Sequence, residues 1–168
     1  MDSIIKQDKL IHYQNIILIW ENFCQLHKQL YDLTCEEYLT LLASDIDSLE
    51  VMLPMKEEII SNIGLIEKDR ADLIHQINES GIFPVNINSA SELIGAFSDI
   101  ETERDIPALK NLNSLLIDII EKIQDQNKKN QIFLNKAMLS IREIKQSFSG
   151  QKTYTTYGAD GLTRSLHK

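Results

Sequence analysis

The chain has 168 residues with only six Gly and three Pro, and 17 basic against 25 acidic side chains leave it at −8. Roughly 20 Gly plus Pro would be ordinary for this length, so a fold of many short strands is excluded in favour of a few long helices. The acidic balance disfavours nucleic acid and anionic membranes as partners, while 43 % hydrophobic content supplies the core of one helical body.

The first residues, Met1-Asp2-Ser3-Ile4-Ile5-Lys6, hold an early acid, and the longest apolar run near them is Ile16 to Trp20. That run is too short for a signal peptide or a membrane span, so a cytoplasmic chain with no membrane insertion is expected. Leu10, Tyr13, Ile16, Trp20, Phe23 and Leu30 recur at steps of three and four, with His27 filling the gap. This is a coiled-coil-like seam, and Ile17, Cys24 and Tyr31 widen it for more than one neighbour. Thr34-Cys35-Glu36-Glu37 has the form of a capping box, which predicts a new short helix over about 35–43. Ser44-Asp45-Ile46-Asp47 offers the next start, with acids suited to the helix dipole.

Leu49, Leu53, Ile59, Ile63, Ile66, Leu73 and Ile77 predict a helix over about 46–79. Pro54 should kink it and Gly64 weaken it, and Gly81 is a natural stop. GIFPVNINS over 81–89 reads as the main loop. Ser89 or Ser91 caps a short helix through about Ile100, and the acid-rich stretch Asp99 to Asp105 reads as a connection. Asp105-Ile106-Pro107 then looks like a cap followed by a first-turn proline.

From 107 to 148 the main run of the last helix contains no further Gly or Pro. Leu109, Leu112, Leu116, Ile119 and Ile123 form one heptad seam, and Phe133, Ala137, Ile141, Ile144 and Phe148 resume it. Between them lie eight polar residues, 124–131. They are either a stretch solvated on all sides or a hydrogen-bonding seam in which Gln126 and Asn130 occupy core-type positions. Apolar residues on several sides of 132–148 need more cover than one hairpin partner gives, which makes this segment the candidate for binding another protein's helices, with Phe133, Ala137, Ile141 and Ile144 as anchors. Burial against the first helix is the competing reading. The expected division is a helical domain over 1–150 and a flexible basic tail over 151–168, whose charges sum to +2. In the tail Gly158-Ala159-Asp160-Gly161 is a turn signal, and Tyr154 and Tyr157 are portable aromatic anchors.

Catalytic motifs are absent: no G-x-G-x-x-G, Walker loop, G-x-S-x-G or H-E-x-x-H occurs. Cys24, His27 and Cys35 are the nearest approach to a metal set, but four-ligand spacing is missing. The carboxylate clusters Glu57-Glu58 and Glu101-Glu103 read as solvated faces. No enzyme activity, metal or cofactor is expected.

The tail Tyr157-Gly158-Ala159-Asp160-Gly161 followed by Thr163 and a basic end, the helix with Asn127-x-x-Asn130 followed by Leu134, and the segment Ala43 to Glu50 together resemble the FlgN-type flagellar export chaperones. That resemblance implies a chaperone that holds hook-associated (hook–filament junction) proteins through their C-terminal helices, prevents premature assembly and delivers them to the export gate. It places substrate binding on the apolar positions of 132–148 and their Asn-rich approach: Asn130, Phe133, Leu134, Ala137, Met138, Ile141 and Ile144. It places docking on the export gate's cytoplasmic domain at Tyr157, Gly158, Asp160 and Gly161, with the export ATPase complex as a further partner. The fold expected is all-α: an elongated antiparallel helical hairpin or bundle with long first, middle and last helices, short accessory helices and the tail. The alternative function is a self-associating coiled-coil structural or adaptor protein.

Overall fold

The computed structural model describes residues 2–104, 106–149, 155–157 and 163–165, with backbone alone for 2–4, 155–157 and 163–165. The expected all-α architecture is present, with two short strands near the C-terminus: α1 (Asp2–Ala43), α2 (Ile46–Ser80), α3 (Ala90–Ala96), α4 (Ser98–Arg104), α5 (Ala108–Phe148), β1 (Thr155–Tyr157) and β2 (Thr163–Ser165). The chain divides into two compact units, Met1–Lys129 and Asn130–Lys168.

In the first unit α1 and α2 form an antiparallel hairpin. Ser44 closes α1 at φ 56°, and the Asp45 N–H returns to the Thr40 carbonyl at 3.1 Å, an ending usually given to Gly. Asp45 then caps α2 by accepting from the Ser48 N–H. The Ser48 hydroxyl, which also donates to it, and then this backbone bond hold its carboxyl below the usual carboxylate range. Pro54 sits inside α2, and Gly81 ends it in the left-handed region at φ 66°. Across the hairpin Lys56 pairs with Glu37, both side chains largely covered, and also donates to Asn127 at 3.2 Å.

α1 does not break at Thr34. The Thr34 hydroxyl is fully buried and donates to the Leu30 carbonyl at 2.7 Å, so it bonds back along the helix instead of capping a new one. The apolar face that carries Leu30 and Leu41 continues through it.

The core lies where the open ends of α1 and α2 meet the accessory helices. Tyr13, Ile16, Trp20, Leu73, Ile77, Ile87, Leu93, Phe97, Ile100 and Leu109 form it. The Phe97 ring stands 5.2 Å from Phe83 and 5.8 Å from Tyr13, centroid to centroid. The loop after α2 is fixed by one side chain. Asn78 donates to the Ile87 carbonyl at 3.0 Å and accepts from the Ile87 N–H at 2.8 Å, as a neighbouring strand would. Ser89 and Glu92 complete a reciprocal capping box on α3.

Two expectations for 99–107 are corrected. The acid-rich stretch is helix α4, not a connection. Glu101 is not on a solvated face: it is 7 % exposed, and its Oε1 accepts from the Tyr13 hydroxyl at 3.1 Å and the Leu109 N–H at 2.6 Å. The first turn of α5 is therefore capped by a carboxylate from α4. The sequence placed that task on Asp105, which lies outside the described residues. Burial, with this hydrogen bond to Glu101, pushes the Tyr13 phenol up to about 12. Trp20 donates to Asn113 Oδ1 at 3.2 Å and joins α1 to α5.

Candidate functional site

The second unit contains the end of α5 and the strand pair. Residues 130–148 hold no helix breaker, and hydrogen bonds within the helix finish its polar surface. The Ser140 hydroxyl donates to the Lys136 carbonyl, and Gln131 donates to Asn135. Ser147 and Ser149 donate to the carbonyls of Ile144 and Gln146 in the last turn, where Lys145 also complements the dipole.

At about 100° per residue, the seven expected binding residues fall on one side of this helix, within an arc of about 140° and over about 21 Å. Asn130 starts the face and is buried. Phe133, Leu134 and Ala137 are half-buried. Met138, Ile141 and Ile144 are each more than half exposed, and Phe148, on the same side, is 87 % exposed. Coverage thus falls away along the helix, and the apolar stripe is open toward its end. Ile132 and Leu139 are exposed on the opposite side.

The polar block before this face is not solvated all round. Gln126 is half-buried and Asn130 buried, while Gln124, Asp125, Asn127, Lys128, Lys129 and Gln131 are exposed. These are the two core-type positions of the heptad register. From 128 to 148 the chain carries five cations and one carboxylate. Arg142 edges the stripe on one side and Lys129 and Lys136 on the other, while Lys145 falls within its arc in the last turn. The stripe is therefore apolar with a basic surround.

β1 and β2 pair antiparallel, with Thr155 opposite Ser165, Thr156 opposite Arg164 and Tyr157 opposite Thr163. Tyr157 is the last residue of β1. Gly158, Asp160 and Gly161 of the expected turn lie outside the described residues, as does Tyr154. A family model described as FlgN protein matches residues 11–165, most of both units. The chain belongs to the FlgN family. FlgN proteins are flagellar export chaperones rather than enzymes. No characterised protein and no solved structure matches the chain.

Cys24 and His27, singled out in the sequence, serve backbone carbonyls. Cys24 Sγ donates to the Leu112 carbonyl at 3.4 Å, and His27 Nδ1 lies 2.8 Å from that of Phe23. Burial, aided by Glu21, pushes the Cys24 thiol up. Among the described residues no group of three or more His, Cys, Asp or Glu is placed to hold a metal, and no helix is long and apolar enough to cross a membrane.

Proposed function

We propose that this FlgN-family chain holds hook–filament junction proteins in the cytoplasm by packing their C-terminal helices on the α5 face from Asn130 to Ile144, and delivers them to the export gate. The carrying observation is the single stripe that joins half-buried Phe133, Leu134 and Ala137 to exposed Met138, Ile141 and Ile144. A substrate helix laid there covers apolar surface on both partners, and a substrate so covered does not polymerise early. The contact needs no nucleotide or metal, and its modest length suits a complex that the gate must take apart. Tyr157, at the end of β1, is the proposed gate-docking residue, acting with Gly158, Asp160 and Gly161. The export ATPase complex is a further partner on this reading.

Copurification with the C-terminal segment of a junction protein tests the proposal. Truncation after Asn130 should abolish capture, and capture that survives it refutes the helix assignment. Tyr157→Ala should keep the substrate and lose binding to the gate's cytoplasmic domain. Joint loss of both would move the tail into the substrate site. A stable oligomer that ignores the substrate would instead make the chain a self-associating adaptor.

A further inference from the structure

The negative charge of this protein sits in one place. Between residues 29 and 67 there are nine carboxylates and one ammonium, Lys56, whereas acids and bases balance in the rest of the chain. Lys56 is already engaged by Glu37 and Asn127. Within this stretch Ile46, Leu53 and Ile60 of α2 recur every seven residues and so share one stripe. They are 60 %, 46 % and 52 % exposed. Leu49, Lys56 and Ile63, the alternate positions of the same heptad pattern, are half-buried. Glu50 and Glu57 follow Ile46 and Leu53 by four residues and edge the stripe on its outer side. Both are exposed, and neither forms an ion pair among the described residues.

This is half of a coiled-coil seam, and its charges select the other half. A second copy of the same strip would set Glu50 and Glu57 against their own equivalents, an unfavourable like-charge arrangement. A helix with Lys or Arg along its edge removes that repulsion and pairs with both carboxylates. We infer that the outer strip of α2 docks a basic amphipathic helix from another protein, in addition to whatever α5 binds. The inference stands on α2 and rests on the proposed function only in the choice of occupant. Residues 128–148 of a second copy are also basic and apolar, but the proposed function commits them to the substrate.

The test uses a labelled synthetic helix of about three heptads, with Leu at the seam and Lys at the edges, and a matched peptide with Glu at the edges. Each is titrated with the full chain and followed by fluorescence anisotropy. The Lys peptide should bind, more weakly as salt rises, and the Glu peptide should not. Glu50→Lys/Glu57→Lys should weaken the Lys peptide by roughly tenfold and let the Glu peptide bind. Glu58→Lys/Asp69→Lys changes the net charge equally on the other side of α2 and should leave affinity within about twofold. Leu53→Ser/Ile60→Ser should abolish binding. If this serine pair loses helicity by circular dichroism, the two lysine pairs decide the matter, because they alter exposed positions only. Equal weakening by both lysine pairs would reduce the effect to general acidity and overturn the strip. A dimer in sedimentation that the serine pair or Glu50→Lys/Glu57→Lys dissolves would assign the strip to a second copy and overturn the proposal as well.

Discussion

Replacing Glu101 by Ala should be among the most damaging single changes to the first unit. The carboxylate accepts from two donors that have no water to turn to: the Tyr13 hydroxyl in a residue 4 % exposed, and the N–H of Leu109, fully buried. Each donor left unsatisfied costs about 1–3 kcal/mol. Relief of the buried carboxylate's own desolvation offsets part of that sum, which leaves a net loss of about 3 kcal/mol. For a chain of this size that is a fall in melting temperature of roughly 6–12 °C. Urea unfolding followed by far-UV circular dichroism measures it. Glu101→Gln keeps an oxygen for the Leu109 N–H and should cost about 1 kcal/mol. In a Tyr13→Phe background one donor is already gone, so Glu101→Ala should cost about 1 kcal/mol less than in the parent chain. A Glu101→Ala loss below about 0.5 kcal/mol, or the same loss in both backgrounds, would refute the assignment of Glu101 as the link between α1, α4 and α5.

The Tyr13 phenol predicts an alkaline weakness. Its folded pKa of about 12 lies above the ordinary 10, so the folded state resists ionisation and its stabilisation, about 2–3 kcal/mol, is whole below pH 10 and lost as pH rises toward 12. Tyr13→Phe should remove that part of the pH dependence, and an unchanged alkaline profile would contradict it. Asn78→Asp should cost at least as much as Asn78→Ala, about 1–3 kcal/mol, because a second oxygen would face the Ile87 carbonyl. Hydrogen exchange over 82–88 should rise in both, and a silent Asp variant would argue against the clamp. Pro54→Ala should restore a helix bond to the Glu50 carbonyl and stabilise the chain by about 1–3 kcal/mol in the same urea assay. A loss there would mean that α2 is built around the proline.

The long elements were legible because their signals are redundant. The 46–80 helix carries an N-cap at Asp45, a stripe ending in Leu73 and Ile77, and a stop at Gly81. No single misreading could erase it. The errors fell where one local signal competed with a tertiary one. Thr34 heads a capping box by sequence, yet its burial makes the Leu30 carbonyl the better partner. Glu101 looked solvated because an acid among acids normally is, and its two donors come from residues 88 and eight positions away. No local pattern marks either contact. The α5 face was readable as a stripe from periodicity alone. How cover declines from Asn130 to Phe148 was not, because burial is set by tertiary packing that a periodic pattern does not encode.

The link through Glu101 also bears on the order of assembly. Tyr13 and Glu101 are separated by 88 positions, so a chain emerging from the ribosome makes α1 long before its partner exists. The α1–α2 hairpin, closed by Ser44 and Asp45, can form from neighbouring sequence at once. The apolar side of α1 that carries Tyr13, Ile16 and Trp20 stays incompletely covered until α3, α4 and the start of α5 have been made. A nascent chain stalled near residue 90 is therefore a half-clad hairpin, exposed to aggregation during synthesis. The carboxylate of α4 then ties the first helix to the start of α5 across this core.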